Sequence, residues 1–183
     1  MLARAYLYKE ALNSLLLKAS DDPYYDYLFG TYAEFNKTID DNDYYKHQWV
    51  NLDTNYNIVG FMEAEIDRPC HYISSLTMIN FKKEWNSTFY LDLKELFLRF
   101  FLRYNYEKIC FKVIIGNRNE KIYDKFISRY GGRIVGTFYR HNALRDGSIK
   151  DVKYYELQKE EFMKVAMVIH SKQIADFSLR GVK

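Results

Sequence analysis

Residues 108–162 read KICFKVIIGNRNEKIYDKFISRYGGRIVGTFYRHNALRDGSIKDVKYYELQKEEF. Residues 109–115 are apolar apart from Lys112, as in a strand buried on both faces and paired in parallel. Gly116-Asn117 breaks the run. Residues 119–129 then space Ile122, Tyr123, Phe126 and Ile127 as one face of a helix, with Asn119 placed to cap it. Gly131-Gly132 suits a left-handed cap at its end. Residues 133–141 and 152–157 form the arms of a hairpin around Asp146-Gly147.

Working upstream, residues 88–103 form the strongest helix, with Leu91, Leu93, Leu96, Phe97, Phe100 and Phe101 expected on a broad apolar face. Asn86, Ser87 or Thr88 can cap its start. Residues 72–81 are rich in β-branched and aromatic side chains, so 72–115 reads as a right-handed βαβ unit. Residues 45–52 and 57–66 flank Asp53-Thr54-Asn55 and complete a three-strand antiparallel meander. Before it, residues 3–9 read as a short strand and 11–19 as a helix stopped by Asp21-Asp22-Pro23. A second helix is expected over 24–36, punctuated by Gly30, and a loop over 38–43. Residues 162–177 read as an extra C-terminal helix, suited to packing or to a homodimer. No repeat or linker interrupts residues 1–183, so one domain is expected. Its class is α/β (α+β): a mixed sheet, antiparallel meander first, then the βαβ unit and the C-terminal hairpin.

With 48% apolar and 28% charged residues the chain can bury a core, and disorder is excluded. A net charge of +3 is too small to imply nucleic acid. The 18 tyrosines reflect either compositional bias or a contact surface, for which Tyr24, Tyr25, Tyr27, Tyr44 and Tyr45 are the candidates. No aromatic strand of the kind that stacks RNA bases is present. Cys70 and Cys110 lack metal-site spacing and fit a reducing compartment. Lys9, Glu10 and Lys18 interrupt any signal-peptide core, and no apolar run is long enough to span a bilayer. A cytoplasmic protein with no membrane partner is expected.

The element order resembles the GNAT N-acetyltransferase superfamily, best over residues 57–161 and weakly before Tyr45. Ile58-Val59-Gly60-Phe61 resembles the family's second antiparallel strand. Residues 113–119, followed by a helix, resemble the strand end that carries a pantetheine-facing Asn. GGRIVG (131–136), then Asp146-Gly147, Asp151 and Tyr154-Tyr155-Glu156-Leu157, resembles the ending of the ribosomal-protein and small-amine branches. One departure is large. The family places a glycine-rich pyrophosphate loop before the long helix, and here that segment is FKKEWNSTFYLD (81–92), with no glycine and with Trp85 inside it.

The resemblance implies acetyl transfer from acetyl-coenzyme A to a primary amine, on a small molecule or a protein N-terminus. Backbone groups of Met78, Ile79, Asn80 and Phe81 would pair with the pantetheine, and Asn117 would hydrogen-bond it. Lys82, Lys83, Ser87 and Thr88 would hold the pyrophosphate. Tyr123 would be the acid, one helical turn from the family's usual position, which Ile127 occupies. Glu63 and Glu65, two apart on one strand face, are the base candidates, directly or through water. His71 is a further one. Each has a plainer reading: Tyr123 as a core tyrosine, the glutamates as a solvated strand face, the lysines as a solvated turn. The competing functional reading is a catalytically inactive GNAT-fold interaction module of a phage or mobile element, motivated by the glycine-free loop and the tyrosine-rich N-terminal third.

Overall fold

The computed structural model describes residues 1–29, 38–41, 44–84 and 86–166. Strand β1 (Leu2–Arg4) leads into a 3-10 turn (Ala5–Tyr8) and α1 (Lys9–Ser20). The strand expected over 3–9 is therefore shorter, because Ala5 packs into the core under α1 and the chain must turn there. A 3-10 turn (Pro23–Tyr25) and α2 (Asp26–Phe29) follow, with the Asp22 carboxylate accepting from the Tyr24 N–H at 3.0 Å. The helix expected over 24–36 is thus a single short turn up to Phe29, and its remainder lies outside the described residues.

Strands β2 (Lys46–Leu52), β3 (Ile58–Asp67) and β4 (Tyr72–Asn80) form the expected antiparallel meander. Next come α3 (Ser87–Leu98), which closes in a π-helical turn (Arg99–Arg103), and β5 (Lys108–Ile114). Then come α4 (Glu120–Arg129), β6 (Arg133–Ala143), β7 (Ile149–Gln158) and a helix over residues 159–166, α5. The rest of the C-terminal helix expected over 162–177 lies outside the described residues. No helix among the described residues is long and apolar enough to cross a membrane.

One seven-stranded sheet runs in the order β1-β2-β3-β4-β5-β7-β6. Side-chain alternation gives it two faces. Met62, Ile73, Phe111, Val113 and Tyr155 meet Phe97, Phe101, Tyr123 and Phe162 on one face, beneath α3, α4 and α5. Val50, Leu52, Phe61 and Ile79 meet Leu12, Leu16 and Tyr25 on the other, beneath α1 and α2. Gly60 permits the first packing, since a Cβ there would lie 2.5 Å from the Phe89 ring. The Gly131-Gly132 cap forms as its composition predicts. Gly131 has φ +78°, and the Gly132 N–H reaches the Ile127 carbonyl at 2.8 Å.

Candidate active site

Parallel strands β4 and β5 pair at a single position, Ile73 with Ile109, and then diverge. Beyond it, β5 is bound antiparallel to β7 along its whole length, from Lys108–Gln158 to Ile114–Val152. One strand therefore holds to the meander and the other to the hairpin, and a V opens between them. A cleft of about 420 Å³ fills the V. Leu76, Met78, Val113 and Tyr123 line it from the α3/α4 side, and Glu65, Ser75, Thr77 and Lys112 from the α1/α2 side.

The lips of the V are the loops after β4 and β5, and the tyrosines of the N-terminal segment bridge them. The Tyr24 hydroxyl donates to the Lys83 carbonyl at 2.6 Å. The Arg118 guanidinium lies 4.6 Å from the Tyr24 ring centre and the Lys83 ammonium 5.5 Å. The Tyr25 hydroxyl donates to the Asn80 carbonyl at 3.1 Å, and burial pushes Tyr25 up to about 12. The Tyr27 ring packs on Gly116, whose φ is +98°. Tyr24, Tyr25 and Tyr27, read from sequence as candidates for a contact surface, line a smaller pocket at the mouth together with Asn117 and Arg118.

The glycine-free loop is organised by one side chain. The Asn80 carboxamide oxygen accepts from the Lys82 N–H at 3.1 Å and the Asn86 amide at 3.4 Å, while its NH2 donates to the Glu84 carbonyl at 2.8 Å. Lys83 takes the left-handed conformation, φ +56°, that glycine would adopt without cost. Its ammonium is ion-paired with Asp22. The exposed Lys82 has no ion-pair partner among the described residues. Asn86 is the residue that caps α3, accepting from the Phe89 N–H at 3.3 Å, which leaves the Ser87 and Thr88 hydroxyls at the helix start without that duty. Trp85 lies outside the described residues.

Of the four pantetheine-pairing candidates at the end of β4, Phe81 lies just past the strand and its N–H points to β3, bonding the Val59 carbonyl at 3.0 Å. By alternation Ile79 points the same way, while Met78 and Asn80 turn their backbone groups toward the V. Tyr123 stands in the first turn of α4, 6% exposed and edge-on to Phe111. Burial, and then the neighbouring Tyr90, hold its pKa far above the ordinary tyrosine value. Its side chain therefore stays protonated at neutral pH, as an acid must.

The two glutamates share the α1/α2 face but differ in setting. Glu63 is buried and accepts from the Gln48 side chain at 2.6 Å. Glu65 is exposed and lines the cleft. His71 stands at the closed end of the V, beside the Ile73–Ile109 pair, with its ring 5.2 Å from that of Tyr106. That position removes it from the base candidates. Asn117 lines both pockets, and its side-chain oxygen accepts from the Asn119 N–H at 2.9 Å. Asn119 makes no side-chain cap, and the Asn117 oxygen closes a turn just ahead of α4 instead of capping the helix.

Sequence reading missed the network that docks α4. Lys153 on β7 pairs with Glu120 at 2.5 Å and Asp124 at 3.0 Å, and the Tyr155 hydroxyl donates to Asp124 at 2.7 Å. Glu120 also accepts from the Gly116 N–H at 2.8 Å. Sequence reading also missed Arg118, because a lone cation in a turn carries no local signal.

No family model and no curated protein matches the sequence. Solved structures do match. The spermidine/spermine N-acetyltransferase SpeG from Vibrio cholerae gives a TM-score of 0.59 at 17% identity, over 67% of this chain and 71% of that one. A chimera of the Vibrio cholerae enzyme with hSSAT gives 0.58 at 18% identity, over 67% and 75%. A crystal structure assigned as an acetyltransferase gives 0.56 at 25% identity, over 69% and 66%. This chain has the GNAT fold. In it the GNAT-type βαβ opening survives although the glycine-rich loop does not.

Proposed function

We propose that this GNAT-fold chain transfers an acetyl group from acetyl-coenzyme A to a primary amine, on a small molecule or a protein N-terminus. The observation that carries the reading is the V between β4 and β5, which encloses a cleft with Tyr123 in its wall. Met78 offers strand-edge backbone groups and Asn80 its N–H to an extended pantetheine arm, the Asn80 carbonyl being held by Tyr25, and Asn117 offers its amide. Lys82 and Arg118 provide positive charge at the mouth, and Ser87 and Thr88 add hydroxyls and free N–H groups at the start of α3. Side chains thereby substitute for a glycine-rich backbone nest.

In the reaction Glu65 takes a proton from the ammonium, directly or through water, and frees the nitrogen lone pair. Glu63 lies deeper on the same face, and its bond to Gln48 suits it to a water relay. The amine nitrogen bonds to the thioester carbonyl carbon, and the carbon–sulfur bond breaks. Tyr123 protonates the departing thiolate and is restored by the second amine proton. The products are the acetamide, free coenzyme A thiol and one proton.

Isothermal titration with acetyl-coenzyme A tests the reading. Micromolar binding followed by amine acetylation is the expected result, and no binding at millimolar ligand would overturn it. The alternative, an inactive interaction module, has one observation in its favour. The loop over Phe81–Glu84 already spends its polar groups on Asn80, Tyr24 and Asp22. That reading requires the titration to be silent.

A further inference from the structure

Among the described residues, the charged groups lining the large cleft are one acid and one base, Glu65 and Lys112. Both side chains are exposed, and neither has a hydrogen-bond or ion-pair partner among the described residues. Elsewhere near the cleft, cations and carboxylates pair with one another: Lys153 with Glu120 and Asp124, Arg145 with Asp26, Lys83 with Asp22. An unpaired acid and an unpaired base facing the same cleft are a complementary set for a ligand carrying both charges.

Their placement follows from register. Glu65 on β3 is opposite Ser75 on β4, and β5 is the next strand. Because β4 and β5 part beyond Ile73–Ile109, Glu65 and Lys112 stand on opposite walls of the V, farther apart than the roughly 10 Å of two regular strand spacings, with Ser75 and Thr77 on the same face. Asn142, brought in by the irregularity of β6 between Phe138 and Asn142, adds a neutral polar group. Long flexible side chains at both ends leave room for a molecule a few bonds in length.

We infer that the acceptor is an amine that also carries a carboxylate, such as a free amino acid or a short peptide, with Lys112 holding the carboxylate and Glu65 receiving the ammonium. This rests on the acetyl-transfer reading above and narrows it. A polyamine, the acceptor named for the Vibrio cholerae enzyme, would place a second ammonium in a cleft whose described lining holds the lysine Lys112 and one carboxylate, Glu65. Like charges at that range disfavour it.

The test compares matched acceptors that differ only by the carboxylate: L-lysine with cadaverine, and L-alanine with ethylamine. Coenzyme A release is followed at saturating acetyl-coenzyme A. The carboxylated member of at least one pair should show kcat/KM about tenfold higher, as a charge-assisted hydrogen bond supplies. In Lys112→Met that ratio should fall toward one, while in Lys112→Arg it should persist. Turnover with the plain amines equal to or above their carboxylated partners would overturn the inference and leave acetyl transfer standing. A preference unchanged in Lys112→Met would also overturn it. Tight acetyl-coenzyme A binding with no turnover of any of the four amines would overturn this inference and leave the transfer reading to a protein N-terminus.

Discussion

Tyr27 packs so closely on Gly116 that a Cβ at that glycine would lie 3.0 Å from the tyrosine ring. One residue belongs to the N-terminal helical segment and the other to the turn after β5, so the contact sets how the N-terminal layer sits over the V. Gly116→Ala therefore meets two penalties, a left-handed backbone at φ +98° and the ring itself. The expected loss is about 1–3 kcal/mol of stability, read by urea unfolding. Adding Tyr27→Ala should recover the steric part and leave the backbone part. Full recovery would show that the turn stores no strain.

Tyr123→Phe removes one hydroxyl from a buried ring and keeps its packing on Phe111. For an acid acting only on the leaving thiolate, kcat should fall about a hundredfold while acetyl-coenzyme A affinity holds. Steady-state kinetics beside titration calorimetry separate the two. Undiminished turnover would reject the role.

Lys83 is held by Asp22 at the mouth of the V. Asp22→Asn should release it and tighten acetyl-coenzyme A binding about two- to fivefold at low salt, with the gain vanishing at high salt as exposed charges are screened. Lys83→Glu should do the opposite. Equal affinities for all three proteins would make the lysine a bystander.

At Asp124 burial opposes ionisation, but hydrogen bonds from Tyr155 and Lys153 outweigh it, so its pKa lies below the ordinary carboxylate value. A depressed carboxylate stabilises the fold above its unfolded pKa and loses that contribution as pH falls through the folded value. Asp124→Asn should therefore be less stable than the parent at pH 7 and approach it near pH 3. Paired urea titrations at the two pH values read this directly. A stability gap independent of pH would show that the charge at Asp124 contributes nothing.

Much of the fold is legible in the chain. Gly131-Gly132 announces the left-handed cap, and Asp146-Gly147 the turn, where Gly147 adopts φ +79°. Both are local signals, set by which residues tolerate which backbone angles. The alternation in β3 puts Glu63 and Glu65 on one face in sequence as in structure. It does not say that Glu63 is buried against Gln48 while Glu65 faces the cleft. That difference comes from what packs above each, and the information lies on other elements.

What the sequence by itself determined is the set of elements, their order and their turns, since each depends on neighbours along the chain. The tertiary structure alone decided that β7 inserts between β5 and β6, that β4 and β5 part after one pair, and that three tyrosines bridge the opening. It also set Glu65 and Lys112 against one cleft. Pairing partners and cleft walls are contacts between residues far apart in sequence. They are chosen by competition among surfaces that form only when the whole sheet assembles, so no single stretch of chain encodes them.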